Sequence, residues 1–149
     1  RLYADTPFMT HSILSIDDID DFRLIASAFL LDEGYDIWEA TCPKEAFSIL
    51  KNEKIDLIVC DLHMPFSMDD DRSEYEESFK VGVKTVTELA WVFPETPIVA
   101  LSAAAPSDLN RIAQYLTPVP AYSKPNKTYD LLTIVQKSLT GLEPRGFLQ

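Results

Sequence analysis

Five times along the chain a short apolar run gives way to a stretch whose apolar residues recur at helical spacing, and few folds can use that alternation. Ser12 to Ile16 (SILSI) predicts a strand ending at Asp17-Asp18, and Phe22, Ile25, Ala26 and Phe29 predict a helix behind it. Asp20 or Asp21 can cap that helix by accepting from its free N–H groups, and Gly34 can end it in a left-handed turn. Tyr35 to Ala40 (YDIWEA) reads as a second strand. Pro43 marks a helix start, and Ala46, Phe47, Ile49 and Leu50 supply the buried stripe. Ile55 to Cys60 (IDLIVC) is nearly continuous in apolar character, as in a strand covered on both faces, and it too leads into an acid, Asp61. Val86, Leu89, Ala90 and Phe93 form a third helical stripe that Pro94 stops. Pro97 to Ser102 (PIVALS) is a fourth strand. Leu109, Ile112, Ala113 and Leu116 follow Pro106 as a helix, Val119 to Ser123 makes a weaker fifth strand, and Leu131, Ile134, Val135 and Leu139 mark a last helix that Gly141 stops. The economical solution is an α/β fold: a doubly wound, open parallel sheet with helices on both faces.

A chain of 149 residues fits one domain with an ordinary core. Its formal charge of −11 repels a nucleic-acid backbone or an anionic membrane surface, and direct nucleic-acid binding by this segment is not expected. Hydrophobic content of 46% is too rich for a disordered chain, and no apolar run approaches the roughly 20 residues of a membrane span. Cys42 and Cys60 make neither a disulfide framework nor a zinc spacing, and no signal peptide is visible, so a cytoplasmic setting is expected. The expected division is one domain over 1–149, with a core over about 12–141, an acidic insertion over about 66–80 and a tail over 142–149. A first residue of Arg1 rather than Met leaves room for a longer protein around it.

In an open α/β sheet, ligands bind beyond the carboxyl ends of the strands. Asp17 and Asp18 end the first strand, Asp61 the third and Ser102 the fourth, and Lys124 follows the fifth. Three carboxylates at one sheet edge repel one another and lose hydration, so they persist cheaply only around a shared cation. Oxygen-only ligation suits Mg²⁺ or Mn²⁺ better than zinc. A hydroxyl and an ammonium beside Asp61 can hold two oxygens of a phosphoryl group, equipping one carboxylate to attack phosphorus while metal and Lys124 neutralise charge.

The set Ile16-Asp17-Asp18, Asp61-Leu62-His63-Met64-Pro65, Leu101-Ser102-Ala103 and Ser123-Lys124-Pro125 resembles the CheY-like receiver domain of two-component response regulators. The four elements stand in the family's order and span nearly the whole chain. The resemblance implies a five-stranded sheet in order 2-1-3-4-5 with five helices. It implies that Asp61 is the phosphoacceptor, that Asp18 ligates Mg²⁺ (or Mn²⁺) directly and Asp17 largely through water, and that the backbone carbonyl of His63 adds a further metal oxygen. Ser102 is then the switch hydroxyl and Lys124 the phosphate-binding cation. The implied donor is the phosphohistidine of a sensor histidine kinase or phosphotransfer protein, and hydrolysis is slow and self-catalysed rather than enzymatic turnover. A downstream protein or fused output domain then reads the face of the fourth helix, fifth strand and fifth helix, after a modification that adds about −1.5 to −2 of charge.

Two features depart from that family. Its members usually carry Tyr or Phe three residues before the lysine, where this chain has Ala121, with Tyr122 one place later. A one-residue offset on a strand reverses the face, so either a local bulge returns Tyr122 to the switch position or the signal passes without that aromatic. The loop after Pro65 also exceeds the usual length by roughly a dozen residues, taking Gly82 as the family's turn glycine. Its acids suggest a solvated excursion that points away from the phosphate or else slows access by an anionic donor.

Other residues have plainer readings. Asp17-Asp18 can cap a helix as well as bind metal, the His63 side chain is expected to face solvent, and Cys60 is expected to be a buried small hydrophobe. Two competing functions are a phosphorylation-independent receiver-like adaptor and a phosphohydrolase of the haloacid-dehalogenase type. The latter usually carries a second acid two residues after its nucleophile, where this chain has His63.

Overall fold

In the computed structural model, which describes residues 10–18, 20–63, 79–125 and 127–140 and the side chains of all of these but 20–22, strands and helices alternate as the sequence predicts. The order is β1 (Ser12–Ile16), α1 (Asp20–Asp32), β2 (Asp36–Ala40), α2 (Pro43–Asn52), β3 (Leu57–Asp61), α3 (Lys80–Val92), β4 (Ile98–Ser102), α4 (Pro106–Leu116), β5 (Ala121–Ser123) and α5 (Thr128–Thr140). Gly34 closes α1 at φ +103°, with Tyr35 N–H donating to the Leu30 carbonyl and Gly34 N–H to that of Leu31, the pair that ends a helix in a left-handed turn. Pro43 and Pro106 sit in the first turns of α2 and α4, where a missing N–H costs nothing. The capping role read for Asp20 or Asp21, the stop at Gly141, the acidic insertion and the tail lie outside what is described.

All five strands are parallel, in the order β2-β1-β3-β4-β5. Every residue of β1, β3 and β4 is buried, because helices cover both sides of these central strands. Alternation along each strand divides the core in two. Leu14, Ile16, Ile58, Cys60 and Ala100 pack against Ala46 and Leu50 of α2, Val86 and Leu89 of α3, and Ile112 and Leu116 of α4. Ile13, Leu57, Val59, Val99 and Leu101 pack against Ala26 and Leu30 of α1 and Leu131, Ile134 and Val135 of α5.

β2 and β4 each begin one residue later than the sequence reading, at Asp36 and Ile98, and three larger details differ. Ile25, counted in the apolar stripe of α1, is 61% exposed; the buried stripe is Ala26 and Leu30, with Phe29 packed beside it. β3 begins at Leu57 rather than Ile55, since Asp56 closes the entry by accepting from Ser12 N–H at 2.7 Å. β5 begins at Ala121 rather than Val119, because Pro118 and Pro120 lack the N–H a ladder needs and Val119 N–H turns back to the Leu116 carbonyl.

Candidate functional site

Strand register assembles the site. Ile16 is level with Cys60, so Asp17 leaves β1 beside Asp61; Asp61 pairs with Leu101, which sets Ser102 one step further out, and Ser102 pairs with Ser123, which delivers Lys124 to the same rim. The ladder continues past the strands: Asp17 N–H donates to the Ala40 carbonyl, Leu62 N–H to that of Leu101, and Lys124 N–H to that of Ser102 at 2.7 Å. These bonds fix the backbone beneath each polar side chain.

One carboxylate oxygen from each of Asp17, Asp18 and Asp61 lies within 4.8 Å of the others, and all three residues are buried. Lys124 Nζ reaches across them, 2.7 Å from Asp17 Oδ2 and 3.5 Å from Asp61 Oδ2. His63 N–H donates to Asp61 Oδ1 at 3.1 Å, so the turn after β3 folds back over the carboxylate. Burial, then the charge of Asp17, pushes the Asp61 carboxyl up to about 7; Lys124 and the His63 N–H pull the other way, and Asp18 adds to the rise. The thiol of Cys60 is raised well above its usual value, by burial first and then by Asp61 and Asp17, which fits an inert core residue. An all-oxygen, triply acidic rim of this size suits a hard divalent cation.

The sequence picked Asp17, Asp18, Asp61, Ser102 and Lys124, and the fold brings these residues to one rim. The His63 side chain is a correction. It is half-buried rather than turned to solvent, and its Nε2 lies 3.0 Å from Ser102 Oγ. The hydroxyl, 1% exposed, also accepts from Ala104 N–H at 3.0 Å. The missed signal was positional: a side chain two residues beyond Asp61 overhangs β4, whose last residue is Ser102.

Gly82 proves to lie in the first turn of α3, against the turn that follows β3. A Cβ there would overlap the carbonyl, Cα and carbonyl carbon of Leu62, so glycine is required by close approach. The bulge offered for Tyr122 is absent. Ala100 pairs with Ala121, Leu101 with Tyr122 and Ser102 with Ser123 in unbroken register. Ala121 therefore packs on the side of α4 and Tyr122 on the side of α1 and α5.

With the geometry in place, comparison with known proteins gives the class. The family profile described as the response regulator receiver domain matches residues 13–136, and the chain belongs to this family. Over 54 residues it is 41% identical to the probable transcriptional regulator ycf29 of Cyanophora paradoxa; the match takes in 36% of this chain and about a quarter, 26%, of that relative. A response regulator from Thermotoga maritima superposes with a TM-score of 0.68 at 26% identity, over 89% of this chain and 99% of its own. The chemotaxis response regulator CheY4 of Vibrio cholerae gives 0.71 at 22% identity (88% and 100%). A CheY-like receiver domain protein of Methanospirillum hungatei gives 0.72 at 18% (92% and 99%). The chain is thus a receiver domain of CheY-like fold, a signalling class of two-component systems. No helix among the described residues is long and apolar enough to cross a membrane.

Proposed function

We propose that this receiver accepts a phosphoryl group on Asp61 from the phosphohistidine of a sensor histidine kinase or phosphotransfer protein, in the cytoplasm, and that the modification alters a surface read by a downstream protein or fused output domain. The observation that carries this is the meeting of three buried carboxylates within 4.8 Å, bridged by Lys124 from Asp17 to Asp61.

Asp61 attacks phosphorus through a carboxylate oxygen; the O–P bond forms as the P–N bond breaks, and the imidazole leaves with its electron pair. Asp17, Asp18, Asp61 and the His63 carbonyl would hold Mg²⁺ or Mn²⁺, which supplies charge neutralisation for the phosphoryl oxygens. Lys124 carries a positive charge already seated beside Asp61 and offsets charge in the transition state without moving far. Ser102 offers its hydroxyl proton to a phosphoryl oxygen. Hydrolysis of the acyl phosphate then returns the site to rest without an outside enzyme.

Incubation with acetyl phosphate and Mg²⁺ should add one phosphoryl group per chain by intact mass, lost in Asp61→Asn. A wild-type chain left unmodified would overturn the proposal. One observation favours a second reading, an adaptor whose binding ignores phosphorylation: Ala121 in regular register leaves the usual aromatic relay out. On that reading Asp61→Asn binds the partner as tightly as the wild type, with or without acetyl phosphate.

A further inference from the structure

We infer that His63 is a positioning residue that latches Ser102 in the unmodified state, and that its release reports phosphorylation in place of the missing aromatic. The inference rests on the reading of Asp61 as phosphoacceptor.

Ser102 Oγ has one proton to give and two lone pairs to fill. Ala104 N–H fills one lone pair. The hydroxyl is almost wholly buried, so its proton needs an acceptor within the protein. Among the described residues that acceptor is His63 Nε2 at 3.0 Å, since Ala104 N–H can only donate. Were Nε2 itself protonated and donating, the buried hydroxyl proton would have no partner among the described residues. The imidazole therefore carries its proton on Nδ1 and accepts at Nε2.

A phosphoryl oxygen on Asp61 asks for that same proton. The hydroxyl can serve one acceptor at a time, so modification exchanges Nε2 for an anionic oxygen, the stronger acceptor. The displaced imidazole has somewhere to go. It borders a cavity of about 260 Å³ between the turns after β3 and β4, lined also by Phe79, Ala104, Asp108, Arg111 and Ile112. Freed from Ser102, it can enter that space and change the surface at the start of α4. Ala121, two residues before Ser102's partner Ser123 on the neighbouring strand and on the α4 side, is too small to sense the hydroxyl's movement.

The experiment has two arms. Nitrogen-15 spectra of the unmodified protein should show His63 Nε2 unprotonated and hydrogen-bonded, with the signal moving in Ser102→Ala; an Nε2-protonated ring overturns the latch whatever Asp61 does. Calorimetric binding of beryllofluoride with Mg²⁺ should be about three- to tenfold tighter in His63→Leu than in the wild type, the worth of one exchanged hydrogen bond. The gain should vanish in the Ser102→Ala background, and His63→Gln, whose amide oxygen can take the place of Nε2, should return to wild-type affinity. Equal or weaker binding by His63→Leu, or the same gain without Ser102, overturns the latch. Absence of any beryllofluoride binding by the wild type overturns the Asp61 reading and the latch with it, an outcome the imidazole spectrum keeps distinct from failure of the hydrogen bond alone.

Discussion

Lys124 is placed where its loss is felt twice. Its side chain is 12% exposed and its ammonium serves the carboxylates of two side chains that are 3% and 2% exposed, so removing it strands negative charge in a poorly solvated rim. Lys124→Met should lower stability at neutral pH by about 3–5 kcal/mol in urea unfolding. Mg²⁺ should recover part of the loss in Tm, and a variant as stable as the wild type would contradict the electrostatics. Asp61 gives the pH dependence. Its carboxyl is raised from an ordinary 3.8 to about 7, so between those values the folded chain holds a proton that the unfolded chain has shed. The stability this contributes is whole below about pH 4 and is lost as pH rises through about 7. A divalent cation needs the ionised carboxylate, so Mg²⁺ should raise Tm most at the upper end of that window. Thermal melts from pH 4 to 8 should show the gap between chelated and Mg²⁺-loaded protein widening, and Asp61→Asn should flatten it. A constant gap would refute the assignment. At this scale the sequence was readable for the acids, the hydroxyl and the amine, because strand ends announce themselves. The His63–Ser102 contact was not, because side-chain orientation in a turn depends on strands that are distant in sequence.

Among the elements, α3 and β5 show what periodicity misses. The stripe of Val86, Leu89, Ala90 and Phe93 marked α3, yet Gly82 interrupts the apolar pattern of its first turn between Val81 and Val83, and the helix start is set by Gly82 resting on Leu62. Gly82→Ala should push α3 off the turn that holds Asp61 and His63. A cost of about 1–3 kcal/mol is expected, as for overpacking at a tight contact, with amide shifts centred on residues 61–63. Wild-type stability and spectra in that variant would mean the contact is looser than described. β5 was legible as a weak strand but not in its start, since two prolines remove the ladder donors that would have lengthened it. Its register mattered more than its length. The offset of the aromatic was visible in the sequence, whereas the choice between a bulge and a reversed face needed the pairing of β4 with β5, which sends Tyr122 toward α5.

For the whole molecule, alternation of apolar runs and helical stripes was enough to anticipate the layers, and the acid, hydroxyl and lysine at successive strand ends were enough to anticipate the rim. The strand order came from resemblance, since parallel strands of similar length carry little local information about their neighbours. The fold adds the reason for the site's economy: β1, β3, β4 and β5 each deliver a polar group to one edge, so a cation and a phosphoryl group would be held by the same set of side chains. Linkage makes this testable, because any strengthening of one ligand's binding by the other must be returned by the same factor. Calorimetric titration of Mg²⁺ with and without beryllofluoride, and of beryllofluoride with and without Mg²⁺, should give one reciprocal enhancement of about tenfold or more, absent in Asp61→Asn. Independent binding of the two, or enhancement that survives Asp61→Asn, would contradict the joint grip of cation and phosphoryl group on which the account depends.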